Sequence, residues 1–237
     1  WAERRRLDRK AGHAFGFTQL KECLKWCLDL GIGVVTVYAF SIENFKRSQQ
    51  EVDSLMDLAV AKLDELSRKR GFLQRNQIRV QVLGDLSLLP THVQEAAARA
   101  MYVSRNHGRA VLNICLSYTS RQEILCACNH VVQGVRRGEL QSGDVCEDLI
   151  SQALYTGPHS QVDLLIRTSG ETRMSDFLLW QASLSCVSFQ SVLWPDFSLW
   201  NLASSILCYQ SSHKALIQAR KRHQDASASS MGCGEAG

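Results

Sequence analysis

No apolar run in the chain reaches the ~18 residues expected of a membrane span, so any membrane role must be peripheral or carried by a partner. Strong charge of either sign is also missing. A formal net charge of +4 and a pI near 8.6 suit an anionic ligand or a membrane surface but fall short of a nucleic-acid-binding footprint. The basic run Arg4-Arg5-Arg6-Leu7-Asp8-Arg9-Lys10 has no interleaved aromatics and no RNA-binding motif, which argues against a basic RNA-binding module. The nine cysteines lack a zinc pattern. Cys126-Ala127-Cys128 has no matching second pair, and Cys23 and Cys27 are spaced as neighbours on a helix. An odd count in a long chain, with no secretory signal in view, leads to an expectation of reduced thiols facing the cytosol. No internal repeat is visible.

What is present is enough for one sizeable core: 237 residues, 45% of them hydrophobic. Strand-like runs alternate with helical ones. Residues 9–30 carry a 3.6-residue apolar stripe that Gly31 stops, and residues 52–70 carry another. The expected strands are 34–40, 78–83, 110–116, 162–166 and 187–193. Between and after them, helices are expected over 91–104, 121–137, 144–154, a short one at 177–181, and 200–222. This alternation predicts a single α/β domain, residues 1–223, with a mostly parallel sheet covered by helices on both faces. Residues 224–237 are rich in Ser, Ala and Gly and are expected to form a disordered tail.

Two of the strand ends carry chemistry. Ile166-Arg167-Thr168-Ser169-Gly170-Glu171-Thr172-Arg173-Met174-Ser175-Asp176-Phe177 places two guanidiniums and a hydroxyl around a Ser-Gly turn after an apolar run. Such a set suits a phosphate-rich anion, because Arg offers a planar fork of donors whose charge persists at all relevant pH. The strand 34–40 runs into Ser41-Ile42-Glu43-Asn44-Phe45-Lys46-Arg47, another polar segment ending in cations. Open α/β sheets bind ligands outside the carboxyl ends of their strands.

These segments, with Tyr38-Ala39-Phe40 before the first and Leu178-Leu179-Trp180-Gln181 after the second, resemble the signatures of the cis-prenyltransferases. That is the undecaprenyl diphosphate synthase family, and the wording here is nearest its eukaryotic dehydrodolichyl members. The resemblance runs from Trp1 to about Lys214. It implies condensation of isopentenyl diphosphate onto farnesyl diphosphate, with Mg2+ as cofactor, to make a long-chain polyprenyl diphosphate for dolichol synthesis. Arg167, Arg173 and Ser175 match the family's isopentenyl diphosphate clamp, while Arg9, His13 and Arg47 match its contacts to the allylic diphosphate. Ser41 and Asn44 stand where the family positions reacting groups and relays the proton, although a strand-end Ser and Asn also make good helix caps. Phe45 stands where many bacterial members carry Trp. Ala39, Leu55 and Leu58, with Met56 and Ala59, match the wall of the elongating-chain tunnel, and the same pattern is that of a plain core-facing helix.

Three departures from the family pattern set further expectations. Only Trp1-Ala2 remains of the Asp-Gly-Asn-x-Arg-Trp-Ala motif, so the first strand and the metal-binding aspartate are expected to lie upstream, and this chain alone to be nearly inactive. Cys186 occupies the place of a metal-associated Glu in bacterial members, and Mg2+ prefers oxygen to a thiol. The chain has no terminal Arg-x-Gly, which in eukaryotic complexes comes from a Nogo-B-receptor-type non-catalytic subunit, so a heteromer on the cytosolic face of the endoplasmic reticulum is expected. A non-catalytic subunit of the same fold is the rival reading. Arg167, Arg173, Ser41 and Asn44 argue against it, since a purely structural subunit would not need them together.

Overall fold

The computed structural model describes residues 1–6, 9–68 and 71–231. The contacts divide the chain into two compact units, Trp1–Glu123 and Ile124–Gly237.

The first unit runs α1 (Arg9–Asp29), β1 (Val34–Ser41), α2 (Gln49–Ser67), α3 (Phe72–Asn76), β2 (Ile78–Leu83), α4 (Thr91–Ser104) and β3 (Ala110–Tyr118). Its three strands are all parallel, in the order β1-β3-β2. β3 is central and buried along nearly its whole length, which is why Ala110–Tyr118 reads as a continuous apolar run and not as an alternation. Val52, Met56, Leu63 and Leu66 of α2 and Val93, Ala96, Ala97 and Ala100 of α4 bury their stripes in the same core as Val80 and Leu112 of the sheet. Small alanines let α4 lie close to β2. There the buried Ser104 hydroxyl donates to the Ala100 carbonyl (2.8 Å) and accepts from Val80 N (2.9 Å).

β1 and β3 keep register from Val34↔Val111 to Tyr38↔Cys115, after which Phe40 faces Leu116. Ala39 is therefore an extra residue, a bulge that bends β1 just before its polar end. Gly84 closes β2 at φ +140°, where a Cβ would sit 1.9 Å from the Leu116 carbonyl oxygen, so no other residue fits there. The five-residue α3 escapes the periodicity argument because it is too short to show a stripe.

The second unit continues through α5 (Ser120–Arg136, its first turn lying in the first unit), α6 (Glu147–Ala153), β4 (Leu164–Arg167), β5 (Cys186–Phe189) and α7 (Leu199–Met231). β4 and β5 pair in parallel, Leu164↔Cys186 to Arg167↔Phe189. α7 lies against both strands. The Arg220 guanidinium fixes it there by donating to the Leu184 carbonyl (3.1 Å), the Val162 carbonyl (2.9 Å) and Asp163 (2.9 Å).

Three sequence expectations are corrected in this unit. The expected helix at 177–181 is a series of turns, because Ser175, Asp176 and Leu178 have φ of 51°, 57° and 47°, a region a right-handed helix cannot use. The last strand stops at Phe189 instead of Leu193, since the carbonyls of Gln190 and Val192 accept from Gly170 N (2.9 Å) and Ser169 N (2.8 Å) of the preceding loop. The tail expected from 224 is helical as far as Met231: the Asp-Ala-Ser-Ala-Ser-Ser stretch contains no Gly or Pro to stop α7. Residues 232–237 lie outside the described residues.

Candidate active site

At the carboxyl end of β1 the chain turns into a short 3-10 segment, Ile42–Lys46. Ser41 caps it: its hydroxyl accepts from Glu43 N (3.2 Å), and its own backbone N–H donates to Asn44 Oδ1 (2.9 Å). This reciprocal cap is the structural role open to Ser41 and Asn44 from the sequence. It consumes acceptors on both side chains. The hydroxyl hydrogen of Ser41 and the amide hydrogens of Asn44 are not part of it, so both remain donors as far as the cap is concerned. Phe45 packs edge-on against buried Phe40 with ring centroids 4.9 Å apart, which anchors the turn to the core. Arg47 ends the segment, exposed and paired with Glu51 one turn into α2 at 2.7 Å.

Directly beside this turn lies a polar pair that sequence reasoning missed. Ser41 is the register partner of Tyr118, the last residue of β3, and the Tyr38 hydroxyl donates to the Tyr118 carbonyl at 3.0 Å. The Tyr118 hydroxyl in turn donates to Glu123 Oε2 at 2.5 Å, with both residues 0% exposed. Burial, and secondarily the carboxylate of Glu123, push the Tyr118 phenol well above its ordinary range, so it stays protonated and donating. The available sequence signal was Ser120-x-x-Glu123 at the end of an apolar strand, a helix-start pattern that also puts a carboxylate under the strand's last residue.

In the second unit Arg167 closes β4, and its backbone carbonyl accepts from Gln190 N at 2.8 Å. Its guanidinium donates to the Ser175 hydroxyl at 3.4 Å. Between them the loop passes through Ser169 at φ 73° and Gly170 at φ 69°, and Ser175 and Asp176 also have positive φ. Non-glycine residues held in this region cost of order 1 kcal/mol or more each, and they persist only where the surroundings over-determine them. Two backbone bonds to the Gln190–Val192 segment supply part of that constraint. Arg173 is exposed and pairs with Glu171 at 2.5 Å. The structure thus brings Arg167 and Ser175 together and leaves Arg173 on a neighbouring carboxylate.

Arg9 and His13 fall in the opening turns of α1, and their side chains lie outside the described residues. Of the expected tunnel wall, Leu55 and Ala59 pack partly buried against the first unit's core, Met56 is fully within it, and Leu58 is half-buried. Ala39 is exposed at the bulge. Eight described cysteines are free thiols.

Residues 1–216 match the prenyltransferase family described as undecaprenyl diphosphate synthase. The chain belongs to this family. It is 48% identical over 225 residues to the human dehydrodolichyl diphosphate synthase complex subunit DHDDS, covering 95% of this chain and 68% of that protein. A subunit of the same name from Schizosaccharomyces pombe is 40% identical over 211 residues, 89% of this chain and 80% of the relative. Among solved structures, lavandulyl diphosphate synthase from Lavandula x intermedia in complex with dimethylallyl diphosphate superposes with a TM-score of 0.82 at 31% identity, covering 88% of this chain and 89% of that one. The α/β fold with parallel strands flanked by helices is the fold of these enzymes, as the sequence pattern predicts.

Proposed function

We propose that the chain elongates farnesyl diphosphate by cis addition of isopentenyl diphosphate, giving a long-chain dehydrodolichyl diphosphate for dolichol synthesis. The observation that carries this reading is Arg167 bonded to Ser175 at the carboxyl end of a parallel strand, inside a loop with a strained backbone, in a member of this family. In each cycle the carbon–oxygen bond of the allylic diphosphate breaks and pyrophosphate leaves with the electron pair. The terminal alkene carbon of isopentenyl diphosphate bonds to the allylic carbon, which leaves positive charge on its methyl-bearing neighbour, and loss of one proton from the methylene on the diphosphate side of that centre restores a double bond in the cis geometry.

The protein's task is to hold two diphosphates and to stabilise the charge that develops on the departing one. In this reading Arg167, Arg173 and Ser175 hold isopentenyl diphosphate, Arg9, His13 and Arg47 hold the allylic diphosphate, and Ser41 and Asn44 donate toward the reacting groups. The carboxylates now on Arg47 and Arg173 are no obstacle. Exposed ion pairs are worth about 0–1 kcal/mol, whereas a charge-assisted contact to phosphate is worth roughly 1.5–3 kcal/mol. Each arginine can therefore exchange Glu51 or Glu171 for a diphosphate at a net gain.

The family implies Mg2+, which would neutralise diphosphate charge. Among the described residues no group of three His, Cys, Asp or Glu side chains could hold an ion. Cys186 is buried, its sulfur 3.8 Å from that of Cys208, and its pKa is raised chiefly by burial. A protonated thiol is a poor partner for a hard cation. Among the described residues no cluster builds a magnesium site from the protein alone, and the roles given above are those of the chain's own cations and hydroxyls.

The human and fission-yeast relatives are named as complex subunits, which supports reading this chain as one subunit of a heteromer with a Nogo-B-receptor-type partner. We place that complex peripherally on the cytosolic face of the endoplasmic reticulum. No described helix is long and apolar enough to cross a membrane. Radiolabelled isopentenyl incorporation, measured with and without the partner subunit, tests the reading: a large gain in kcat/KM with the partner is expected, and equal activity in both cases would contradict it.

A further inference from the structure

Away from the strand ends, α1, α2 and α3 of the first unit border a cavity of about 350 Å3 whose rim is cationic. Lys21 and Lys25 of α1, Arg68 at the end of α2 and Arg75 in α3 line it, together with Glu22 and Glu65. Both carboxylates are already matched. Glu65 accepts from Lys21 at 2.8 Å and Lys62 at 2.9 Å, contacts that hold its pKa below the ordinary carboxylate range, and Glu22 pairs with Lys25 at 2.6 Å. Arg68 and Arg75 are exposed and have no carboxylate partner among the described residues. The lining is thus +2 by formal charge, four cations against two carboxylates. Behind that rim, buried Leu66 and half-buried Phe72 supply an apolar floor.

Two unmatched guanidiniums over an apolar floor suit an amphiphilic anion better than a small hydrated one: the planar forks fit phosphate oxygens and the floor takes hydrocarbon. We propose that this cavity binds a phosphate group, that of an anionic lipid at a membrane surface, at a site separate from the diphosphate-binding strand ends. The proposal does not depend on the catalytic reading.

The test uses the 237-residue chain and its variants Arg68→Gln/Arg75→Gln and, as a control of equal net charge, Arg136→Gln/Arg137→Gln. None of these residues belongs to the proposed catalytic set. Co-sedimentation with phosphatidylcholine vesicles, with and without phosphatidate, is one arm. Titration with inorganic phosphate against chloride at matched ionic strength, followed by phosphorus NMR, is the other. Thermal melts confirm that each variant is folded. Each basic residue at an anionic membrane surface is worth about five-fold in partition. The cavity variant is expected to bind phosphatidate vesicles roughly 25-fold more weakly than the parent, the control only a few-fold more weakly. If inorganic phosphate binds the parent but not the cavity variant while vesicles bind neither, the site stands and its ligand is a soluble phosphate. Equal loss in both variants, or no binding of either ligand by the parent, overturns the proposal.

Discussion

Arg167 and Arg173 differ in what holds them before any ligand arrives. Arg167 rests on the Ser175 hydroxyl at the end of a strand, whereas Arg173 sits exposed on Glu171. If both clamp isopentenyl diphosphate, Arg173→Ala should raise KM for that substrate at least ten-fold while changing KM for farnesyl diphosphate little, a split that steady-state kinetics reads directly. Arg173→Lys should not restore the parent value, because an ammonium lacks the planar fork. Glu171→Gln should lower the same KM by at most a few-fold, since it removes only an exposed competitor. Equal effects on both substrates would sink the assignment. Tyr118 makes a different claim, on stability. Tyr118→Phe removes the donor to a fully buried Glu123, and leaving that carboxylate short of a partner should cost about 1–3 kcal/mol in urea denaturation. An unchanged midpoint would mean that other contacts of Glu123 suffice.

At the scale of elements, the strand ends decide what the loops can do. The loop 168–178 carries Ser169 at φ 73°, exposed and free to become glycine without losing packing. Ser169→Gly should therefore raise the unfolding free energy by up to about 1 kcal/mol, visible as a higher Tm, if the strain is stored there. Gly84 is the opposite case. A Cβ there would meet the Leu116 carbonyl oxygen at 1.9 Å, and Gly84→Ala should leave little folded protein, scored by circular dichroism of the soluble fraction.

Long periodic elements were legible in the sequence: 91–104 and 78–83 coincide with α4 and β2 because their apolar spacing is regular over the whole element. The turns at 177–181 were not, because positive φ at Ser175, Asp176 and Leu178 leaves no trace in an apolar run such as Phe-Leu-Leu-Trp. Arg167 and Ser175 could be found because chemistry and spacing coincide within one loop. Tyr118 and Glu123 escaped because a buried tyrosine looks like any strand residue until the register with Ser41 is known.

For the molecule as a whole, sequence alternation pointed to parallel strands flanked by helices, and the chain has that fold, its strands pairing in a three-stranded and a two-stranded parallel sheet. Residues that match the allylic contacts lie in the first unit and those that match the isopentenyl clamp in the second. A few-residue motif in each unit outweighs composition as a guide to activity, since +4 net charge would equally suit many binding proteins. The most direct test is incorporation of radiolabelled isopentenyl diphosphate onto farnesyl diphosphate by the protein as its own gene encodes it, assembled with a partner subunit, beside the same complex carrying Arg167→Ala. The account predicts a labelled long-chain cis-polyprenyl diphosphate whose formation falls by 100-fold or more in the variant, about 2.7 kcal/mol of lost transition-state stabilisation. Absence of labelled polyprenyl product from the parent complex, or undiminished formation in the variant, would contradict it.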